Sequence, residues 1–162
     1  MNHEIYILSV FLHIVAACLW LGGMLFLILA FIPGIKNHPD KVNLIDQVSL
    51  RFRKVGIVAL LILLVTGIVQ LEYRGVQWTW EYFTDTPFGK VAGLKILVFI
   101  IIVTISLVHD HYLGTRAIEA WKNRPGHPET VQLRNLSRIL GRVSFILALL
   151  AVLLGALLVR GW

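Results

Sequence analysis

Cysteine is almost absent from this chain, and its scarcity removes several chemistries at once. Cys18 is the single thiol in 162 residues, so no intrachain disulfide can form. No Cys-x-x-Cys-His run occurs, which excludes covalent attachment of a c-type haem by its usual motif. Methionine is nearly as rare, with only Met1 and Met24, so there is no Met-rich copper motif. Charge is sparse as well. Charged residues make up 15% of the chain, against about a quarter in an ordinary soluble domain. Apolar residues fill the space, at 57% of the sequence. Lipid is the solvent that covers such an excess.

Four apolar stretches carry that reading. Ile5 to Ile35 has no formal charge, Val55 to Leu71 and Val143 to Val159 have none, and Val91 to Val108 has only Lys95. A spanning helix needs about 20 mostly apolar residues. The expected spans are about 5–33, 53–72, 89–114 and 138–160, since flanking Lys and Arg can snorkel and lengthen the shorter ones. The stretches are continuous rather than alternating, which argues against a β-barrel. The expected fold is all-α: one four-helix integral membrane bundle over residues 1–162. The first stretch reads as a retained helix. Its start, Met-Asn-His-Glu, has no basic n-region, and no Ala-x-Ala cleavage site follows.

Basic residues set the expected orientation. The first loop carries Lys36, Lys41, Arg51, Arg53 and Lys54, and the third carries Arg116, Lys122, Arg124, Arg134, Arg138 and Arg142. The second loop has Arg74 and Lys90 against Glu72, Glu81 and Asp85. Loops one and three are therefore expected in the cytoplasm, with both termini on the periplasmic side. The net charge of +6 then belongs to membrane edges, so nucleic acid is not an expected partner. Tyr73, Trp78, Trp80, Tyr82 and Phe83 in the second loop suit an interfacial aromatic belt, or a lid over an outward-facing site. The third helix is expected to continue to about Lys122, and Asn-Arg-Pro-Gly-His-Pro at 123–128 to break the chain.

Polar groups inside lipid are costly, so each is a site candidate. His13 lies about 12 Å into the first span and Lys95 about 9 Å into the third, both from the outer side. They share a level, which Thr66 and Gln70 of the second span can join. His109, followed by Asp110 and His111, sits at the opposite end, about 18 Å deeper than His13, where it is expected to pair with Asp110 or Arg142 or to mark a second, inner site with its neighbours. One iron cannot take axial ligands from both. Helical spacing groups His13, Ala16, Ala17, Trp20, Gly23 and Met24 into one stripe. Lys95, Phe99, Ile102, Ser106 and His109 form a second, and Gly141, Ser144, Ala148, Ala151 and Gly155 a third. Small residues allow close helix approach, and they also leave room for a flat cofactor. They are equally compatible with a homo-oligomer or with a non-catalytic assembly subunit.

Leu12-His13-Ile14 followed by Trp20-Leu21-Gly22-Gly23 resembles the start of the CopD-like (copper resistance D) domain and of the related four-helix HemJ family. Gly93-Leu94-Lys95 with a later His109 is similar to both. Arg51-Phe52, Thr66-Gly67 and the basic run from Arg134 to Arg142 add weaker matches, so the resemblance spans all four helices. A HemJ-like protein implies haem b and protoporphyrinogen IX oxidase activity, with His13 and Lys95 at the family's histidine and lysine positions. A CopD-like protein implies copper uptake or resistance at the bacterial inner membrane. The chain departs from the HemJ pattern at Arg134-Asn135-Leu136-Ser137, where an acidic residue and a proline are expected.

Ligand chemistry weighs the two. Copper(I) favours thiolate and thioether, and Cys18, Met1 and Met24 offer few of them. Haem needs an imidazole and a flat apolar slot. His13 with Trp20, Gly23 and Phe99 can supply both, and Lys95 can act as a sixth ligand or as the partner of a propionate. The expected metal ligands are thus His13 and Lys95, with His109 as an outlying candidate. The expected function is that of a haem b redox protein exchanging electrons with a quinone or a respiratory-chain protein. Copper handling is the alternative.

Overall fold

Inside a bilayer every backbone N–H and C=O must be satisfied within the protein, so a chain of this composition crosses as helices. The computed structural model describes residues 3–160, apart from the side chains of Asp110 and His111. Among the described residues there is no strand. Four helices are long and apolar enough to cross a membrane. They are α1 (His3–Gly34), α2 (Lys41–Tyr73), α4 (Pro87–Val108) and α6 (Pro128–Arg160). A short helix, α3 (Trp80–Asp85), joins the second to the third. A π-helical turn at His109–Leu113 carries α4 straight into α5 (Gly114–Asn123). Another π-helical turn, Leu27–Phe31, lies within α1.

Helix lengths differ from the hydropathy limits in an informative way. The 22 residues of α4 measure about 33 Å, close to a hydrocarbon core of about 30 Å. The 33 residues of α2 and of α6 measure about 50 Å and must stand out of it. The second span was expected from 53 and the fourth from 138, yet the helices begin at Lys41 and Pro128. Hydropathy marks only the part that lipid covers. The polar turns before it remain helical because water serves their surface. Lys41, Arg51, Arg53 and Lys54 therefore ride on a helix rather than in a loop.

Turn chemistry fixes the corners. The Thr79 hydroxyl caps α3 by accepting from Tyr82 N–H. The Thr86 hydroxyl accepts from Gly89 N–H at 2.9 Å and donates to the Tyr82 carbonyl at 2.7 Å, with Pro87 in the first turn of α4. A Cβ at Gly89 would collide with that same carbonyl, so the α3–α4 corner needs glycine. Gly75, with φ +70°, reverses the chain after α2 in a backbone region open to glycine.

The bundle is two hairpins. α1 packs along α2, and α4 packs along α6 with α5 alongside. Contact between the hairpins is lighter and runs through α1 with α6 and α2 with α5. Ala16, Trp20, Ala59, Val91, Val98, Ile102, Ala148 and Leu154 make one shared core. Large apolar residues point outward instead, as with Leu29 at 71% exposure and Ile146 at 63%. That inversion suits a lipid environment, where burying leucine gains little and close packing of small residues gains more.

Candidate functional site

Aromatic and polar contacts gather at one end of the bundle. Tyr6 and Tyr73 stack there with ring centroids 4.1 Å apart, and His3 reaches the Tyr73 hydroxyl at 3.1 Å. These contacts lock the start of α1 to the end of α2. One to two turns further in, His13 is half-buried and its Nδ1 lies 2.8 Å from Thr66 Oγ1.

Proton counting fixes the direction of that bond. The Thr66 hydroxyl has one proton, which it donates to the Ile62 carbonyl at 2.5 Å, with the Leu63 carbonyl at 3.4 Å. Its oxygen therefore accepts from His13 Nδ1–H. A neutral imidazole carries a single N–H. With the proton on Nδ1, Nε2 keeps a free lone pair, which is the form a metal-ligating histidine needs. Gly67 lies beside the ring: a Cβ there would stand 3.7 Å from His13 Cε1. Thr66 is 5% exposed, so the acceptor is well shielded from competing water.

Lys95 comes from the other hairpin. Its Nζ lies 3.1 Å from the point where a Cβ at Gly155 would stand. Gly155 thus makes the space that the ammonium head occupies. With His13 on α1, Thr66 on α2, Lys95 on α4 and Gly155 on α6, all four spans contribute polar or space-making residues to this half of the bundle. Among the described residues Lys95 makes no hydrogen bond and no ion pair.

The remaining candidates fall elsewhere. Trp20 is buried, with its indole against Gly56, and Phe52 fills the space beside Gly23. The space beside Gly23 that was expected to help form a flat slot is thus taken by Phe52, and both contacts serve the α1–α2 packing. Phe99 is half-buried on α4, one turn beyond Lys95. His109 stands about 21 Å along the helix from Lys95, on the π-helical turn, with Nε2 3.0 Å from Ser137 Oγ. Its expected pairing with Asp110, and the second site suggested for Asp110 and His111, lie outside the described side chains. Among the described residues no three His, Cys, Asp or Glu gather as a metal cluster. Cys18 is exposed on α1.

Arg74 is a site residue that the sequence does not single out. In the sequence it is one loop cation. In the structure it reaches across the hairpin boundary and donates from Nη1 to the Leu158 carbonyl at 2.6 Å, with its guanidinium 5.6 Å from the Phe88 ring centre. The spacing of Thr66, Gln70 and Arg74 on one helical face was the available signal.

Fold and site together define a multi-pass helical membrane protein carrying a histidine and a lysine within its apolar length. The chain is 34% identical over 157 residues to a protein of Aquifex aeolicus (strain VF5) described as "Uncharacterized protein", with 96% of each chain covered. It belongs to the family of that protein. No family model matches it, and no solved structure matches it.

Proposed function

We propose that this chain is a haem b-binding redox protein of the CopD/HemJ-like type, set in a bacterial inner membrane with both termini on the periplasmic side. The observation that carries the reading is the His13–Thr66 bond, which leaves the Nε2 lone pair of His13 for iron. Thr66 orients the ring, Lys95 supplies positive charge, and the packed layer of Ala16, Trp20 and Ala59 excludes water from the inward side. A bound haem would supply one-electron exchange between ferrous and ferric iron. Its electrons would pass to a quinone or a respiratory-chain protein.

Copper handling has less support, because His13 has no soft ligand beside it among the described residues. The test is the visible spectrum and metal content of protein purified from haem-replete cells. A Soret band is expected, lost in His13→Ala and kept in His109→Ala. Colourless protein from such cells rejects the haem reading, and a band that survives His13→Ala rejects His13 as the iron ligand. Copper retained in place of iron would establish the alternative.

A further inference from the structure

Three nitrogen donors stand above His13 without an acid to answer them. Lys95 is one. Gln70 is the second: its Nε2 is buried and has no hydrogen-bond partner among the described residues. Arg74 is the third, and it spends one nitrogen on the Leu158 carbonyl. Thr66, Gln70 and Arg74 recur every four residues along one face of α2, so the donors climb from His13 towards the membrane surface in steps of about 6 Å. Lys95 and Arg74 converge on the same stretch of α6, one beside Gly155 and the other at Leu158. Both carry positive charge.

The neighbouring acids do not relieve this. Glu72 accepts from the Trp78 indole N–H, and among the described residues neither Lys95 nor Arg74 forms an ion pair with any carboxylate. A cation and a stranded amide donor within the apolar span are costly unless an anion joins them, and the exposed Arg74 beside them adds positive charge rather than an acid. The Phe88 ring under Arg74 holds the guanidinium in place but supplies no counter-charge. Arg presents a fork of donors matched to a carboxylate or phosphate, and its nitrogens other than Nη1 are free to use it.

We infer that Lys95, Gln70 and Arg74 form an anion-binding site that receives a carboxylate of the bound cofactor. The cofactor's identity rests on the haem reading above; the anion site does not. Lys95 then acts as a counter-charge rather than an iron ligand, and Arg74 is the outer clasp. A lipid phosphate carries the same chemistry and is the competing source.

The experiment uses the full chain in phosphatidylcholine nanodiscs, titrated with haem b and with haem dimethyl ester. Esterification removes both negative charges and leaves ring and iron intact. Wild type should bind the free acid about tenfold more tightly than the ester, the scale of one charge-assisted contact. Arg74→Gln and Gln70→Leu should each narrow that ratio to about threefold or less, with the Soret position unchanged. Arg74→Lys should retain part of it. Equal affinity for acid and ester in folded wild type overturns the inference and leaves the haem reading standing. If neither haem binds, the haem reading fails instead, and native mass spectrometry with added phosphatidylglycerol decides the anion site. Retention lost in Arg74→Gln supports it with lipid as the source; no retention in wild type overturns it.

Discussion

The two ends of the bundle treat their charges in opposite ways. At the Asp46 end, several polar groups are tied to protein partners, with Arg53 Nε the buried nitrogen left without one among the described residues. Lys122 pairs with Asp46 at 2.6 Å, and Arg53 donates to the Thr115 hydroxyl at 3.1 Å. Arg134 lies 3.4 Å from the centre of the Trp121 ring, and His109 meets Ser137. These contacts join α2 to α5 and α5 to α6, and they act as a clasp on the ends of the hairpins. At the Tyr73 end, Lys95 and Gln70 are left open, and Arg74 uses one of its donors. Histidine shows the contrast most clearly. His109 spends Nε2 on a serine, whereas His13 spends Nδ1 on a threonine whose own proton is committed elsewhere. A polar residue in a membrane protein is thus informative through the atom it leaves unused.

Substitutions can break this contrast. The largest effect is expected at His13: His13→Ala should remove the Soret band entirely, while His109→Ala removes none of it, read in detergent-solubilised protein of equal helix content. Next comes Thr66→Val. It keeps the shape but takes away the acceptor of His13 Nδ1–H, so haem affinity should fall by about 10- to 100-fold, the usual cost of losing such a support. A Val variant with wild-type affinity would remove Thr66 from the site.

The Tyr73 end was only partly legible in the sequence. The level shared by His13 and Lys95 follows from counting residues down continuous helices, and α1, α2, α4 and α6 are continuous. Thr66 could be placed at that level but not given a role, because the direction of its bond depends on where its own proton goes. Trp20 and Gly23 carried the right spacing for a slot, yet Trp20 packs on Gly56 and Phe52 fills the space beside Gly23. Small residues look alike in sequence whether a cofactor or a neighbouring side chain fills the gap. Arg74 was hidden for a different reason: its partner Leu158 is 84 positions away, and no local pattern announces a contact between hairpins.

Gly155→Leu sharpens the comparison further. The added side chain starts 3.1 Å from Lys95 Nζ and must push the ammonium aside. An overpacking cost of about 1–3 kcal/mol is expected, measured as a lower unfolding midpoint together with weaker haem binding. Gly155→Ala should be far milder, since the flexible end of a lysine can shift by a few tenths of an ångström. The smallest effect is expected at the clasped end. Asp46→Asn removes a partly exposed ion pair, with its side chains 37% and 27% exposed. Such pairs contribute about 0–1 kcal/mol. Stability should drop by no more than that, and the spectrum should not move. A spectral change in Asp46→Asn would show that the two ends are coupled.

The division into hairpins also bears on how the protein is made. His13 and Thr66 belong to the same hairpin, and Tyr6, Tyr73 and His3 close it. Helices inserted in chain order would therefore meet, and orient the imidazole, before Lys95 has left the ribosome. Maturation would then be a docking event between two preassembled halves, with the lightly packed seam between them still open at the moment a ligand could slide in from the bilayer.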